Sequence, residues 1–87
     1  MASFLARVYV TLKPTVNDPP GLVIADGLRS LGFSEVEGVR AGKYIEVRFD
    51  AESAVAATTR VDAMCDKLLA NPVIESYRFD VEELVSA

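Results

Sequence analysis

Residues 43–50, Lys-Tyr-Ile-Glu-Val-Arg-Phe-Asp, alternate apolar and polar side chains without a break, and this pattern constrains the chain most. A period of two fits a strand with one face buried and does not fit a helix. Ile45, Val47 and Phe49 share the inner face; Tyr44, Glu46 and Arg48 share the outer one. Residues Phe4 to Leu12 behave the same way. Ala6, Val8, Val10 and Leu12 line one side, Leu5, Arg7, Tyr9 and Thr11 the other, and Lys13-Pro14 ends the run because proline cannot donate to a ladder. A third strand is expected from Val73 to Val81, with Val73, Tyr77, Phe79 and Val81 inward and Glu75 interrupting them. A short strand over Val36–Arg40, turned at Ala41-Gly42, would form a hairpin with Lys43–Asp50.

Two helices separate these strands. Asp18 suits an N-cap and Pro19 the first helical position. Ile24, Leu28 and Leu31, with Ala25 beside them, predict one buried stripe. Gly32 then suits a left-handed stop, with Phe33 able to fold back on Leu28. Gly27, inside this helix, costs about 1 kcal/mol relative to alanine and reads as a close-packing position. The second helix is expected from about Glu52 to Ala70, its inner stripe Ala54, Ala57, Thr58, Val61, Cys65 and Leu68, with Met64 and Leu69 flanking. Asn71-Pro72 stops it, since a residue before proline avoids helical angles.

The order βαββαβ predicts an α+β domain: a four-stranded, mostly antiparallel sheet with two helices on one face, in the ferredoxin-like manner. The uncovered face would carry Leu5, Tyr9 and Tyr44 among charges, and Leu5 and Tyr9 make it a candidate homodimer face. The same pattern also fits scattered surface hydrophobics. All 87 residues belong to one domain, small enough that its core is thin and pairing with other chains would help it. Acidic residues outnumber basic ones, 13 to 9, and the basic ones are scattered from Arg7 to Arg78, which argues against nucleic acid. No run approaches the roughly 18 apolar residues of a membrane helix, the N-terminus lacks the shape of a secretory signal, and a single cysteine offers no disulfide. A cytoplasmic protein is the expectation.

Catalytic chemistry finds little footing. The chain has no histidine, which removes Ser-His and Cys-His pairs. Cys65 falls on a helix stripe and reads as a packed thiol. Zinc sites and redox motifs need more Cys or His than the chain contains. Glu35 and Glu37, and the cluster Asp80, Glu82 and Glu83, read as solvated surface, not as a metal site. Gly38 to Lys43 imitates a phosphate loop, but it is one residue short, lacks the Ser or Thr, and leads into a strand. Its plainer reading is a glycine turn flanked by Arg40 and Lys43, cations able to meet an acidic partner.

Four segments go beyond what strand ends and caps require: Val10 to Pro14 running into Asp18-Pro19-Pro20-Gly21, Leu31-Gly32-Phe33, Val39 to Glu46, and Cys65 to Glu75. Together they closely resemble the PurS family, the small subunit of the multi-subunit formylglycinamidine ribonucleotide synthase of purine biosynthesis. The resemblance spans about Leu5 to Glu83, and Cys65-Asp66-Lys67-Leu68-Leu69-Ala70-Asn71-Pro72-Val73-Ile74-Glu75 is its most specific part. The chain departs mildly from the family at Pro20, where glutamine is common, and at Gly27, where alanine is.

The resemblance implies a subunit without catalytic residues, cofactor or metal of its own. ATP and magnesium would be used by the large synthetase subunit, and a separate glutaminase subunit would release ammonia. A PurS-like homodimer, with a tetramer an open alternative when isolated, would bridge the two and help close the ammonia path. Arg40, Lys43 and Tyr44 on the hairpin, and Asn71 and Pro72 in the constrained turn, are the candidate subunit-interface residues; each also has a purely local use in its own turn. Two other classes stay open on the residues alone. One is a free-standing dimeric regulator that binds a small molecule; the other is a small enzyme working through carboxylates.

Overall fold

β1 (Ala2–Leu12) is the centre of the sheet, and the rest of the fold follows from filling both of its edges. The computed structural model describes residues 1–85 and continues with α1 (Pro19–Ser30), β2 (Gly42–Ala51), α2 (Ala54–Met64) and β3 (Glu75–Leu84). β2 and β3 both pair antiparallel with β1, in the order β2-β1-β3. The sheet therefore has three strands, one fewer than expected. The strand predicted over Val36–Arg40 does not form and the outer edge of β2 stays unpaired, because the backbone groups of that segment are claimed elsewhere. Arg29 donates to the carbonyls of Val36 and Glu37, both at 3.1 Å.

Register places the two faces as alternation requires. Phe4, Ala6, Val8 and Val10 are all buried, opposite Phe49, Val47, Ile45 and Lys43 on β2, while β3 brings Val81, Phe79 and Tyr77 alongside. α2 covers this face. Ser53 caps it, accepting the N–H of Ala56 at 3.1 Å. Ala57, Val61 and Cys65, four apart, are fully buried and make its inner stripe. Ala54 and Thr58, expected in that stripe, face outward. Thr58 instead turns its hydroxyl back to the Ala54 carbonyl at 2.9 Å.

A single π turn over Cys65–Leu69 closes α2, with the Ala70 N–H donating to the Cys65 carbonyl at 2.9 Å. The extra residue in that turn brings Leu69 and Ala70 toward the core and leaves Leu68, predicted inside, largely exposed. β3 likewise starts at Glu75, not Val73. The Asn71 carbonyl accepts from both Ile74 and Glu75, a turn that keeps Val73 out of the ladder.

α1 ends as the sequence predicts. Gly32 has φ 103°, Phe33 N–H donates to the Leu28 carbonyl and Gly32 N–H to that of Arg29, a complete Schellman stop. Its packing is different from the prediction. Gly21 and Ala25 are the buried residues of α1, whereas Ile24 is 47% exposed and Leu31 76%. α1 is pinned at one end of the sheet by its two termini, so α2 alone forms the helical layer, and the molecule measures 51 × 33 × 15 Å.

Candidate subunit interface

Most of the predicted interface residues converge on the end of the sheet where β1 stops and β2 begins. The organiser is Asp18, a buried carboxylate. One of its oxygens accepts the N–H of Gly21 at 3.1 Å and so caps α1; the other accepts the N–H of Ala41 at 2.7 Å. These two bonds, Ala41's first, hold the carboxyl below its ordinary range against the opposing effect of burial. Gly21 is required here because a Cβ would lie 2.3 Å from the Val39 carbonyl oxygen. Arg40 completes the knot. Its guanidinium donates to the carbonyls of Lys13 at 2.9 Å and Val16 at 3.0 Å, and its Nε sits 3.9 Å from Asp18. Arg40 was expected to project from a hairpin; it folds down as a clamp on the β1–α1 connection.

Lys43 and the Asn71-Pro72 turn meet through Glu75. Lys43 Nζ lies 3.8 Å from one Glu75 oxygen, while the other accepts the Asn71 N–H at 2.6 Å. Asn71 stiffens its own turn by accepting the Val73 N–H at 3.0 Å. Lys43 and Pro72 stay exposed, and a shallow cleft of about 310 Å³ opens between Asp18, Ala41, Lys43 and Glu75. The segment that imitates a phosphate loop thus leads into β2, and a carboxylate already occupies the Ala41 N–H.

Tyr44 lies apart from this cluster, on the open face of the sheet. Its ring is 5.2 Å from that of Tyr9, and Arg78 lies over the Tyr9 ring at 4.0 Å. The Tyr44 hydroxyl donates to Glu46 at 2.7 Å, which raises its pKa. Arg7 bonds Glu82 at 3.1 Å, and Ser3 donates to Asp50 at 3.1 Å. Leu5, a candidate for a dimer face, is only 8% exposed. The open face is a mosaic of charged and polar side chains around the Tyr9–Tyr44 pair.

Reactive groups are subdued. Cys65 is fully buried, and burial together with Asp62 pushes its thiol pKa up, away from the nucleophilic thiolate. Tyr77 donates to Asp62 at 2.6 Å, and its pKa is pushed up to about 12. Among the described residues no three Cys, Asp or Glu side chains come together as metal ligands, and no helix is long and apolar enough to cross a membrane.

Comparison with known proteins decides the family. A family model described as PurS, phosphoribosylformylglycinamidine (FGAM) synthase, matches residues 5–83. The chain belongs to the PurS family. A phosphoribosylformylglycinamidine synthase subunit PurS from Synechocystis is 47% identical over 85 residues, covering 98% of this chain and 85% of the relative. The crystal structure of Thermus thermophilus PurS superposes with a TM-score of 0.84 at 38% identity, over 95% of this chain and 99% of that one. A chain in the structure of PurLQS from Thermotoga maritima matches with a TM-score of 0.82 at 36% identity, over 97% and 100%.

Sequence reasoning found the PurS segments but missed how they cooperate. Asp18 was legible as a cap because of Pro19; nothing local signals that it also reaches Ala41. Glu75 read as an interruption of an apolar face, and an acid at an inward position was the available signal that it has work at a strand end. Arg29, which holds the Val36 and Glu37 carbonyls, was not singled out.

Proposed function

We propose that this chain is the non-catalytic PurS subunit that, as a homodimer, bridges the ATP-dependent synthetase and the glutaminase of FGAM synthase and supports the passage of ammonia between them. The observation that carries the reading is the full-length match to a chain from the PurLQS structure of Thermotoga maritima. A bridging subunit needs shape, docking surface and exclusion of water, not a base or a metal. The quiet chemistry of this chain supports that role. ATP and magnesium then belong to the synthetase partner, and the setting is the cytoplasm.

Reconstitution tests it. The synthetase and glutaminase subunits are assayed with glutamine, ATP and magnesium, with and without this chain. The expected result is glutamine-dependent synthesis only when the chain is added, while ammonia-dependent synthesis does not need it. Unchanged rates and no ternary complex would overturn the assignment.

A further inference from the structure

The sheet face that α2 leaves open gathers both of its tyrosines and an unpaired arginine at one end. There the three strands set Tyr44, Tyr9 and Arg78 in one row, Tyr9 being the register partner of both others. The two rings lie 5.2 Å apart, and the Arg78 guanidinium rests over the Tyr9 ring at 4.0 Å. Tyr44 and Arg78 are exposed. Tyrosine and arginine are enriched among the residues that anchor protein contacts, because each brings a large, stiff surface at a small cost in lost rotamers.

Arg78 has no use within the protomer beyond that stack. It joins no ion pair among the described residues. A guanidinium laid on a ring has its plane fixed and its N–H edge open, which is the shape that binds a carboxylate through two parallel hydrogen bonds. In the adjoining row the exposed hydroxyls of Thr11 and Ser76 stand directly opposite one another. Two hollows meet at this pair, one of about 190 Å³ toward Tyr9 and Arg78, the other of about 450 Å³ toward Pro14 and Arg40. A carboxylate seated there finds one ready guanidinium and two hydroxyl donors, with Arg40, already committed to carbonyls, adding positive charge.

The rows on the other side restrict the occupant. They read Glu46, Arg7, Asp80 and then Arg48, Leu5, Glu82. A phosphate backbone would meet these acids within two rows, so the tyrosines do not make a platform for nucleic acid. Asp80, which joins no ion pair among the described residues, lies two strand residues from Arg78, roughly 7 Å away. A protein segment with an acid over Arg78 and a base over Asp80 complements both.

We propose that the Tyr9–Arg78 corner of the open face docks an acidic segment of one of the two enzyme subunits, a carboxylate of that segment being held by Arg78 with the Thr11 and Ser76 hydroxyls. This rests on the bridging role proposed above and adds the surface and the chemistry of its contact.

The test uses the full chain with the synthetase and glutaminase subunits. Arg78→Ala and Arg78→Lys change an exposed side chain, so circular dichroism stays native. Arg78→Ala is expected to weaken binding of the chain to the other subunits by more than about tenfold, and Arg78→Lys by less, since an ammonium keeps the charge and loses the fork. Treating the Arg78→Lys complex with a carbodiimide, which takes up the water lost, is expected to form an amide between position 78 and an Asp or Glu of the synthetase or glutaminase. Wild type, with no amine at that position, forms none there. The contact is overturned, and the bridging role left standing, by wild-type affinity in Arg78→Ala, by an assembled Arg78→Lys complex without coupling at position 78, or by coupling only to another copy of this chain. A wild-type chain that binds neither subunit overturns both.

Discussion

The Asp18 carboxylate accepts the Ala41 N–H at 2.7 Å, joining the cap of α1 to the entry of β2 across 23 positions of sequence. The bonds to Ala41 and Gly21 favour the charged form, so the folded-state pKa lies below the unfolded one. The stabilisation they give is present above the unfolded carboxylate pKa of about 3.9 and is lost as pH falls through the folded value. Asp18→Asn keeps a cap for Gly21 but turns an amide N–H toward Ala41. Urea unfolding at a series of pH values is expected to show the variant less stable near neutrality, with the gap to wild type closing below about pH 4. A gap independent of pH would mean that the carboxylate charge is not what ties the junction.

Two glycines near the ends of α1 separate steric from conformational constraint. Gly21→Ala drives a Cβ to 2.3 Å from the Val39 carbonyl oxygen, backbone against backbone, and the junction must open to admit it. Gly32→Ala meets no neighbour but must hold φ 103°, which costs about 1–3 kcal/mol. Chemical denaturation is expected to show both variants destabilised. Only Gly21→Ala is expected to speed hydrogen exchange at the Ala41 N–H, because only it displaces the loop that Asp18 holds.

Strand faces and helix ends were legible because their causes are local. Ile45, Val47 and Phe49 alternate with polar residues, and Gly32 follows the last helical turn; each signal lies within a few residues of its effect. The fourth strand failed because pairing is not local. Val36–Arg40 looked like the partner of β2 in a hairpin, but Arg29 takes the Val36 and Glu37 carbonyls and Asp18 takes the Ala41 N–H at the expected turn. The helix stripes failed in an informative way. Ile24, Leu31 and Leu68 were predicted in buried stripes and are exposed, because α1 packs through Gly21 and Ala25 and the π turn at Cys65–Leu69 turns Leu68 outward. Of the candidate interface, Lys43 and Pro72 are exposed as read, while Arg40 is spent on carbonyls that only the folded connection brings near it.

Tyr77 and Asp62 give a spectroscopic handle on how α2 sits against β3. Their 2.6 Å hydrogen bond favours the neutral phenol, and the pKa rises to about 12. The folded state thus holds its proton through the interval from about 10 to 12; stability from this bond is complete below about pH 10 and is lost as pH rises through the folded value. Tyrosinate absorbance is expected to show Tyr77 ionising last of the three tyrosines. Asp62→Asn is expected to bring that last step down, and Tyr77→Phe to remove it at a cost of about 0.5–1.5 kcal/mol. A last step unmoved by Asp62→Asn would place the high pKa on another tyrosine.

Arg40 and Lys43 stand three positions apart, and the structure gives them opposite duties. Arg40 holds the carbonyls of Lys13 and Val16, so Arg40→Ala is expected to lower stability by about 1–2 kcal/mol and to weaken assembly only through that loss. Lys43 is exposed and its contact with Glu75, at 3.8 Å, is a surface pair worth little. Lys43→Glu is therefore expected to leave the melting temperature within a few degrees of wild type, while reversing the charge this end of the sheet shows to other subunits. Binding to the synthetase and glutaminase subunits, and the ratio of glutamine-dependent to ammonia-dependent synthesis, distinguish the two residues. Loss of glutamine-dependent synthesis in a stable Lys43→Glu chain would put the β1–β2 end of the sheet against a partner subunit. Full assembly and an unchanged ratio in the same chain would mean that Lys43 serves its strand end alone, and that the docking surface for the other subunits lies on another face.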